Sequence, residues 1–304
     1  MLKQHPVCGR TFAIETETAF LPFYQLNEQE IILLDTGRAA SDRQPLMEFL
    51  NHHELQIKGI ICSHAHMDHG GNVRFLQATY GCRVVAHVIE AAIASTVDSF
   101  LTYYGISTPD GKGGVEECFI TTDYITPDTE HLIFCGAEFQ ILQLPGHSGG
   151  HIGIVTPDNV AYLGDALMGF SELAASKMPT TQYVRRDLES KRSLHRLQAN
   201  AYIVAHKAIL QDIHALIDAN VSCYEDKARA ILMSLRDGTT RGEWLLDYCQ
   251  DQRLSVRSEG GFTILEYGFH NMVNYLEQTG NVRAQRVGGN LRYHKFADNK
   301  RHLV

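Results

Sequence analysis

No Cys-x-x-Cys pair occurs in the sequence, and its seven cysteines (Cys8, Cys62, Cys82, Cys118, Cys135, Cys223 and Cys249) are an odd number scattered along the chain. That pattern excludes a secreted disulfide framework and fits a reducing compartment. Long apolar runs are missing, both after Met1-Leu-Lys-Gln-His-Pro6 and later. Neither a signal peptide nor a membrane span is therefore expected, and a cytoplasmic location is. Excess positive charge is absent as well: 27 Lys+Arg against 35 Asp+Glu give −8, which disfavours a chain-wide hold on nucleic acid or anionic membrane. There is no internal repeat and no low-complexity tract.

The remainder is an ordinary globular composition, 44% hydrophobic and 20% charged over 304 residues, a length that predicts one large domain and a smaller one. From Thr11 to Asp35 the chain reads as strands, with Ile31-Ile-Leu-Leu34 closed by the turn Asp35-Thr-Gly37. An amphipathic stretch carrying Leu46, Phe49 and Leu50 follows, then a strand over Ile57–Cys62 and a helix over Asn72–Tyr80. Short strands at 84–86, 138–144, 152–155, 160–163 and 201–205, and a helix over Asp187–Gln198, complete a mixed α/β domain spanning residues 1–207. The segment from Ser99 to His131 is irregular, and 107–114 is a loop signal. Beyond His206 the pattern turns helical at 208–219, 225–236, 242–250 and 263–278. Val282–Val287 and Leu291–Phe296 then form a ribbon around Gly288-Gly289. Residues 208–304 are expected to be a small helical, winged-helix-like domain.

Histidine is unusually abundant, with 16 copies, and its placement carries the functional signal. Directly after the strand ending at Cys62, Ser63-His64-Ala-His66-Met-Asp68-His69 packs four metal-ligating side chains into six residues of a strand-to-helix loop. His64 and His66 alternate onto one side of an extended backbone, while Asp68 and His69 in the following turn address a neighbouring position. Two metals can share this loop. Further donors stand just past apolar strands: His147 in Leu-Pro-Gly-His, Asp165 in Tyr-Leu-Gly-Asp and His206 in Val-Ala-His. Together they provide three ligands for each of two sites and a shared carboxylate. His151 begins a strand and is read as structural; His52, His53, His87 and His195 receive no role, and Cys62 is read as core.

In these motifs the sequence resembles the metallo-β-lactamase superfamily, whose signature is H-x-H-x-D-H followed by separate His, Asp and His motifs. The resemblance spans about residues 11–207 and implies an αββα sandwich of two mixed sheets flanked by helices. It assigns His64, His66 and His147 to a first metal, Asp68, His69 and His206 to a second, and Asp165 to both. Asp35 would orient a ligand histidine. Two divalent cations about 3.5 Å apart would bring the pKa of a bridging water toward neutrality and polarise the substrate oxygen. Asp68, as catalytic residue, would relay the proton to the leaving group.

Within that superfamily, Asp165 distinguishes the chain from zinc β-lactamases, which lack the bridging aspartate. His66 distinguishes it from the oxygen-reducing di-iron branch, which has glutamate there. The set looks most like hydroxyacylglutathione hydrolase (glyoxalase II), which implies a binuclear hydrolase of thioesters or esters of small organic acids. The alternatives are a metal-dependent RNA phosphodiesterase and, in another class, a winged-helix protein that senses a ligand without turnover. Zinc is the expected metal, although iron and manganese suit the same donors, and a mononuclear iron branch that oxidises persulfides shares the ligand pattern.

The carboxy-terminal pattern resembles, more weakly, the winged-helix extension of some endoribonucleases and acyl-carrier thioesterases of that superfamily. Residues 281–304 carry Arg283, Arg286, Arg292, Lys295, Lys300 and Arg301 against Asp298, a net +5 where the rest of the chain is −13. A local anion contact follows from that charge. The preceding helix has too few cations to be a DNA recognition helix, so a roof over the site or a homodimer contact is the preferred role.

Overall fold

The computed structural model describes residues 2–104 and 118–296. The loop signal at 107–114 and residues Asp298, Lys300 and Arg301 lie outside the described residues. The first half of the chain runs β1 (Lys3–Cys8), β2 (Thr11–Glu15), β3 (Phe20–Gln25), β4 (Glu30–Leu34), α1 (Ala39–His52), β5 (Gln56–Ile61), α2 (Met67–Gly70), α3 (Val73–Tyr80), β6 (Arg83–His87), α4 (Val88–Ala94), α5 (Val97–Tyr104) and β7 (Asp123–Ile125). These seven strands form one sheet in sequence order. It is antiparallel from β1 to β4 and parallel from β4 to β7.

The second half continues with β8 (His131–Phe134), β9 (Ala137–Gln143), β10 (Ile152–Val155), β11 (Val160–Tyr162), α6 (Phe170–Ala175), α7 (Val184–Ser193), a 3-10 turn (Leu194–Arg196), β12 (Ala201–Val204), β13 (Ala208–Leu210), α8 (His214–Ser234), α9 (Arg241–Asp251), α10 (Glu259–Gln278), β14 (Val282–Val287) and β15 (Asn290–Lys295). The order of the second sheet is β13-β12-β11-β10-β9-β8, with only the β11–β12 pair parallel.

The two-residue period of a strand sets the layers. In β4, Ile31 and Leu33 face α1, α3, α4 and α5, while Ile32 and Leu34 face Phe139, Ile141, Ile154 and Ile203 of the other sheet. Both faces of the central strands are buried, which explains their continuous apolar runs. The outer face of the second sheet packs Leu163, Tyr202 and Val204 on Ile213, Leu216 and Ile217 at the start of α8. The result is the expected αββα sandwich, with its loops gathered at the carboxyl ends of the parallel strands.

Four expectations shift. The segment from Ser99 to His131, read as irregular, begins inside α5 and contains β7, which pairs with β6. Ala208–Leu210, read as the start of a helix, pairs antiparallel with β12. A three-residue apolar run carries no period, and the helix starts only where Asp212 Oδ1 accepts from the His214 amide at 2.8 Å. The sheet thus extends past residue 207. The segments 208–219 and 225–236 are not separate helices either, because α8 runs unbroken through Asn220-Val-Ser-Cys223. Asn220 is fully buried there: its carboxamide accepts from the Met168 amide and donates to the Met168 carbonyl, both at 2.9 Å. That tertiary bond overrides poor helix propensity. The helix over 187–198 begins at Val184 and ends at Ser193, before the 3-10 turn.

Beyond α8, α9 and α10 pack with α7, α8 and the β14–β15 hairpin around the buried Trp244, Tyr248 and Phe269. Trp244 Nε1 donates to the Ile231 carbonyl at 2.9 Å, so the one tryptophan is both core and clamp. No helix among the described residues is long and apolar enough to cross a membrane.

Candidate metal centre

Asp35 ends β4 with φ at 60°, a conformation Asp tolerates better than most residues. It is fully buried, and both carboxylate oxygens are occupied. Oδ1 accepts from the Ser63 amide at 2.7 Å, and Oδ2 accepts from Ser63 Oγ and Tyr162 Oη, each at 2.6 Å. Oδ2 also lies 2.8 Å from His69 Nδ1. A carboxylate with three other donors can only accept from that ring, so Nδ1 carries a proton and, in the neutral ring, Nε2 is bare. Because Ser63 Oγ gives its own hydrogen to Asp35, it accepts from His64 Nδ1 at 2.9 Å, which leaves His64 Nε2 bare as well. His206 Nδ1 faces the Thr18 carbonyl at 3.2 Å and likewise presents Nε2.

These Nε2 atoms converge on Asp165. Its Oδ1 is 3.2 Å from His69 Nε2 and 3.4 Å from His206 Nε2, while Oδ2 is 3.3 Å from His147 Nε2 and 4.0 Å from His64 Nε2. His147 Nε2 and His66 Nδ1 are 2.9 Å apart. The donor atoms of His64, His66, His147 and Asp165 lie within 4.8 Å of one another, as do those of Asp68, His69 and His206. The structure thus brings together all seven residues singled out from the sequence, in two groups that share Asp165. Asp35 with His64 and His69 makes a third close group, but its carboxylate is saturated by Ser63, Tyr162 and His69, so Asp35 orients rings.

Burial governs the charges here. It drives His64 and His147 well below the ordinary imidazole pKa, and His66 below it. Burial also opposes charge on His69, yet Asp165 and Asp35 outweigh it and hold that ring well above its usual value. For His206, burial is overcome by the hydrogen bond and charge of Asp165, and the pKa rises to about 9. Burial of Asp165 is outweighed in turn by His69 and His147, so its carboxyl stays well below the usual range. His64, His66 and His147 are thus neutral, as metal ligation requires, whereas His69 and His206 hold a proton against Asp165 that a cation would displace.

The donor set fits divalent metal. His64 Nε2, His69 Nε2 and Asp165 Oδ1 are buried with no hydrogen-bond partner, an arrangement costing about 1–3 kcal/mol for each group left unsatisfied. Cations held by the two groups would satisfy all three. Imidazole and carboxylate suit zinc, iron and manganese alike.

Several positioning residues went unnoticed in the sequence. Glu90 of α4, 1% exposed, accepts from the Ala65 amide at 2.9 Å on one side, and from Ser148 Oγ at 2.7 Å and the Gly150 amide at 2.8 Å on the other. It pins the loop of His64 and His66 to the loop of His147. Nothing in its local sequence marks it. Ser63 and Tyr162 do flank the motifs, and adjacency was the available signal. His151, by contrast, reads from the sequence as a supporting or structural residue and is one: its Nε2 accepts from the Asp165 amide at 3.0 Å, and burial lowers its pKa to about 3, which makes it the peg for the Asp165 turn. His87 caps α4 by accepting from the Ile89 amide.

A family model described as the metallo-beta-lactamase superfamily matches residues 23–206, which contain every residue of the centre. The chain belongs to that superfamily. Among solved members, a metallo-beta-lactamase family protein from Thermus thermophilus superposes with a TM-score of 0.71 at 21% identity, covering 97% of this chain and 98% of that one. A beta-lactamase domain protein from Burkholderia ambifaria gives 0.74 at 13% identity, covering 97% and 94%. At these identities the likeness is one of fold, and it extends over the carboxy-terminal helices. Among curated superfamily relatives, a hydroxyacylglutathione hydrolase from Shewanella oneidensis is 29% identical over 143 residues, 47% of this chain and 45% of the relative. The hydroxyacylglutathione hydrolase GloC from Haemophilus influenzae is 27% identical over 144 residues, 46% of this chain and 63% of the relative. The matched stretch therefore spans about half the length of the first of these relatives.

Proposed function

We propose that this chain is a binuclear metal-dependent hydrolase acting on thioesters or esters of small organic acids. The observation that carries the reading is Asp165, whose two oxygens address two separate groups of histidines. His64, His66 and His147 would hold one cation and Asp68, His69 and His206 the other. Such cations, zinc by expectation, supply a water that is acidic near neutral pH and an electrophile for the acyl oxygen.

The side chains account for the rest. His64, His69 and His206 are fixed by Ser63, Asp35 and Thr18 with Nε2 inward, so little reorganisation is needed at the moment of reaction. Asp68 is partly exposed and lies 3.5 Å from Arg38, which steadies its carboxylate at the mouth of the site. Asp68 would take the proton that water gives up and return it to the departing sulfur. Across the reaction, oxygen from water bonds to the acyl carbon, the C–S bond breaks, one proton of the water ends on the sulfur and the other passes to solvent, and carboxylate and thiol leave. The names of the hydroxyacylglutathione hydrolase relatives support the thioester over other acyl substrates. Residues 1–207, with β13 completing their second sheet, would form the catalytic unit and the helices from α8 onward an accessory one.

Purified protein assayed with S-acyl glutathione, acyl-CoA and single-stranded RNA, alongside elemental analysis, tests the reading. Thioester hydrolysis with two equivalents of metal, lost in a folded Asp165→Ala variant, is the expected result. Cleavage of RNA alone, or a single metal per chain, would overturn it.

A further inference from the structure

Beside the metal centre, two hollows meet at Gln182, Tyr183 and Arg186. One, of about 400 Å³, lies against α4 and is walled by Val88, Ile89, Ala92 and Ile93, with Tyr103 and Gly149 at its side. The other, of about 620 Å³, lies between the start of α7 and α10 and is mixed, with Arg185, His270, Asn271 and Asn274 beside Tyr267 and Tyr275 in its lining. The apolar hollow is the one next to the centre. The Gln182 amide hydrogen-bonds the His147 carbonyl at 3.2 Å, and Tyr103 Oη donates to Gln182 Oε1 at 2.9 Å. Tyr103 in turn packs edge-on against Tyr104, whose ring is 5.7 Å from His66.

Arg186 lines both hollows, with its guanidinium over the Tyr183 ring at 5.5 Å. Its neighbour Arg185 is paired with Glu189 at 3.1 Å, but Arg186 has no acidic partner among the described residues. An unneutralised cation at the junction, in a chain of net charge −8, is a local complement for an anion.

We propose that the paired hollows are the subsite for one arm of the thioester, an arm that is apolar beside α4 and carries a carboxylate or phosphate at Arg186. The proposal rests on the hydrolase reading for its substrate but makes a separate claim about binding. The arm would displace water from Val88, Ile89 and Ala92, and its anion would accept from the guanidinium fork.

Thioethers, which cannot be hydrolysed, test the subsite without turnover. Calorimetric titration of the full chain with S-hexyl glutathione (carboxylates), S-hexyl coenzyme A (phosphates) and the neutral S-hexyl N-acetylcysteamine separates the sources of the anion. The expected result is that one anionic probe binds at least about tenfold more tightly than the neutral one, and that Arg186→Gln erases this advantage. The neutral probe should be unaffected by Arg186→Gln, and Arg186→Lys should restore part of the gain. Ala92→Trp, which fills the apolar hollow, should weaken every probe. Equal affinity for charged and neutral probes, equal weakening of all by Arg186→Gln, or indifference to Ala92→Trp would each overturn the proposal. Absence of thioester hydrolysis in wild-type protein that still binds the probes in this pattern would overturn the hydrolase reading and leave the subsite standing.

Discussion

Asp35 Oδ2 lies 2.8 Å from His69 Nδ1, although 34 residues of chain separate the turn after β4 from the ligand loop. The bond fixes which nitrogen of His69 faces the centre. In Asp35→Asn, a carboxamide would turn hydrogens toward Ser63, Tyr162 or His69, all of them donors. Metal affinity should fall about 10–100-fold, as measured by competition with a chromophoric chelator. Wild-type affinity would show that the ring needs no such support.

Glu90 joins the two ligand loops from beneath. Glu90→Gln is isosteric but sets an amide against either the Ala65 N–H or the Ser148 and Gly150 donors. A loss of about 1–3 kcal/mol in denaturant unfolding is expected, together with weaker metal retention. Full stability would mean that water takes over these bonds.

Gly146 precedes His147 with φ at +146°, and a Cβ there would run into the backbone of Asp187 on α7. The Tyr183 amide also donates to the Gly146 carbonyl at 2.9 Å, so the loop and the helix start are one packed unit. Gly146→Ala should destabilise by about 1–3 kcal/mol through strain and displace His147. Metal stoichiometry falling toward one per chain would report that displacement, whereas two tightly held ions would contradict it.

Chelation should act on stability as well as activity, because cations bound by folded but not unfolded chain stabilise by mass action, about 4 kcal/mol at a thousandfold excess over Kd. Dialysis against a strong chelator should lower Tm, and added zinc should restore it. Asp165→Ala should melt at a temperature that no longer responds to metal. A wild-type Tm unmoved by chelation would argue that the orphaned His64 and His69 nitrogens are satisfied some other way.

The candidate metal donors can be read directly from the chain. His64, His66, His147, Asp165 and His206 are legible because each follows an apolar strand, whose end projects the next side chains into the loop layer, and Asp68 and His69 because they crowd against His64 and His66 in the same short motif. The unbroken apolar run Ile31–Leu34 likewise matches a strand buried on both faces, which the sandwich requires.

How those donors are held, and where the chain departs from its local tendencies, emerges only with packing. Glu90 and Tyr162 act across 60 and 127 residues of sequence, on Gly150 and Asp35 respectively, and no local pattern encodes such partners. Ala208–Leu210 is a strand because β12 offers it an edge, and Asn220 sits inside a helix because Met168 occupies its side chain. Periodicity reports which face of an element is apolar. Orientation of a ring, saturation of a buried carboxylate and the meeting of two hollows at Arg186 depend on atoms that become neighbours only when the layers close.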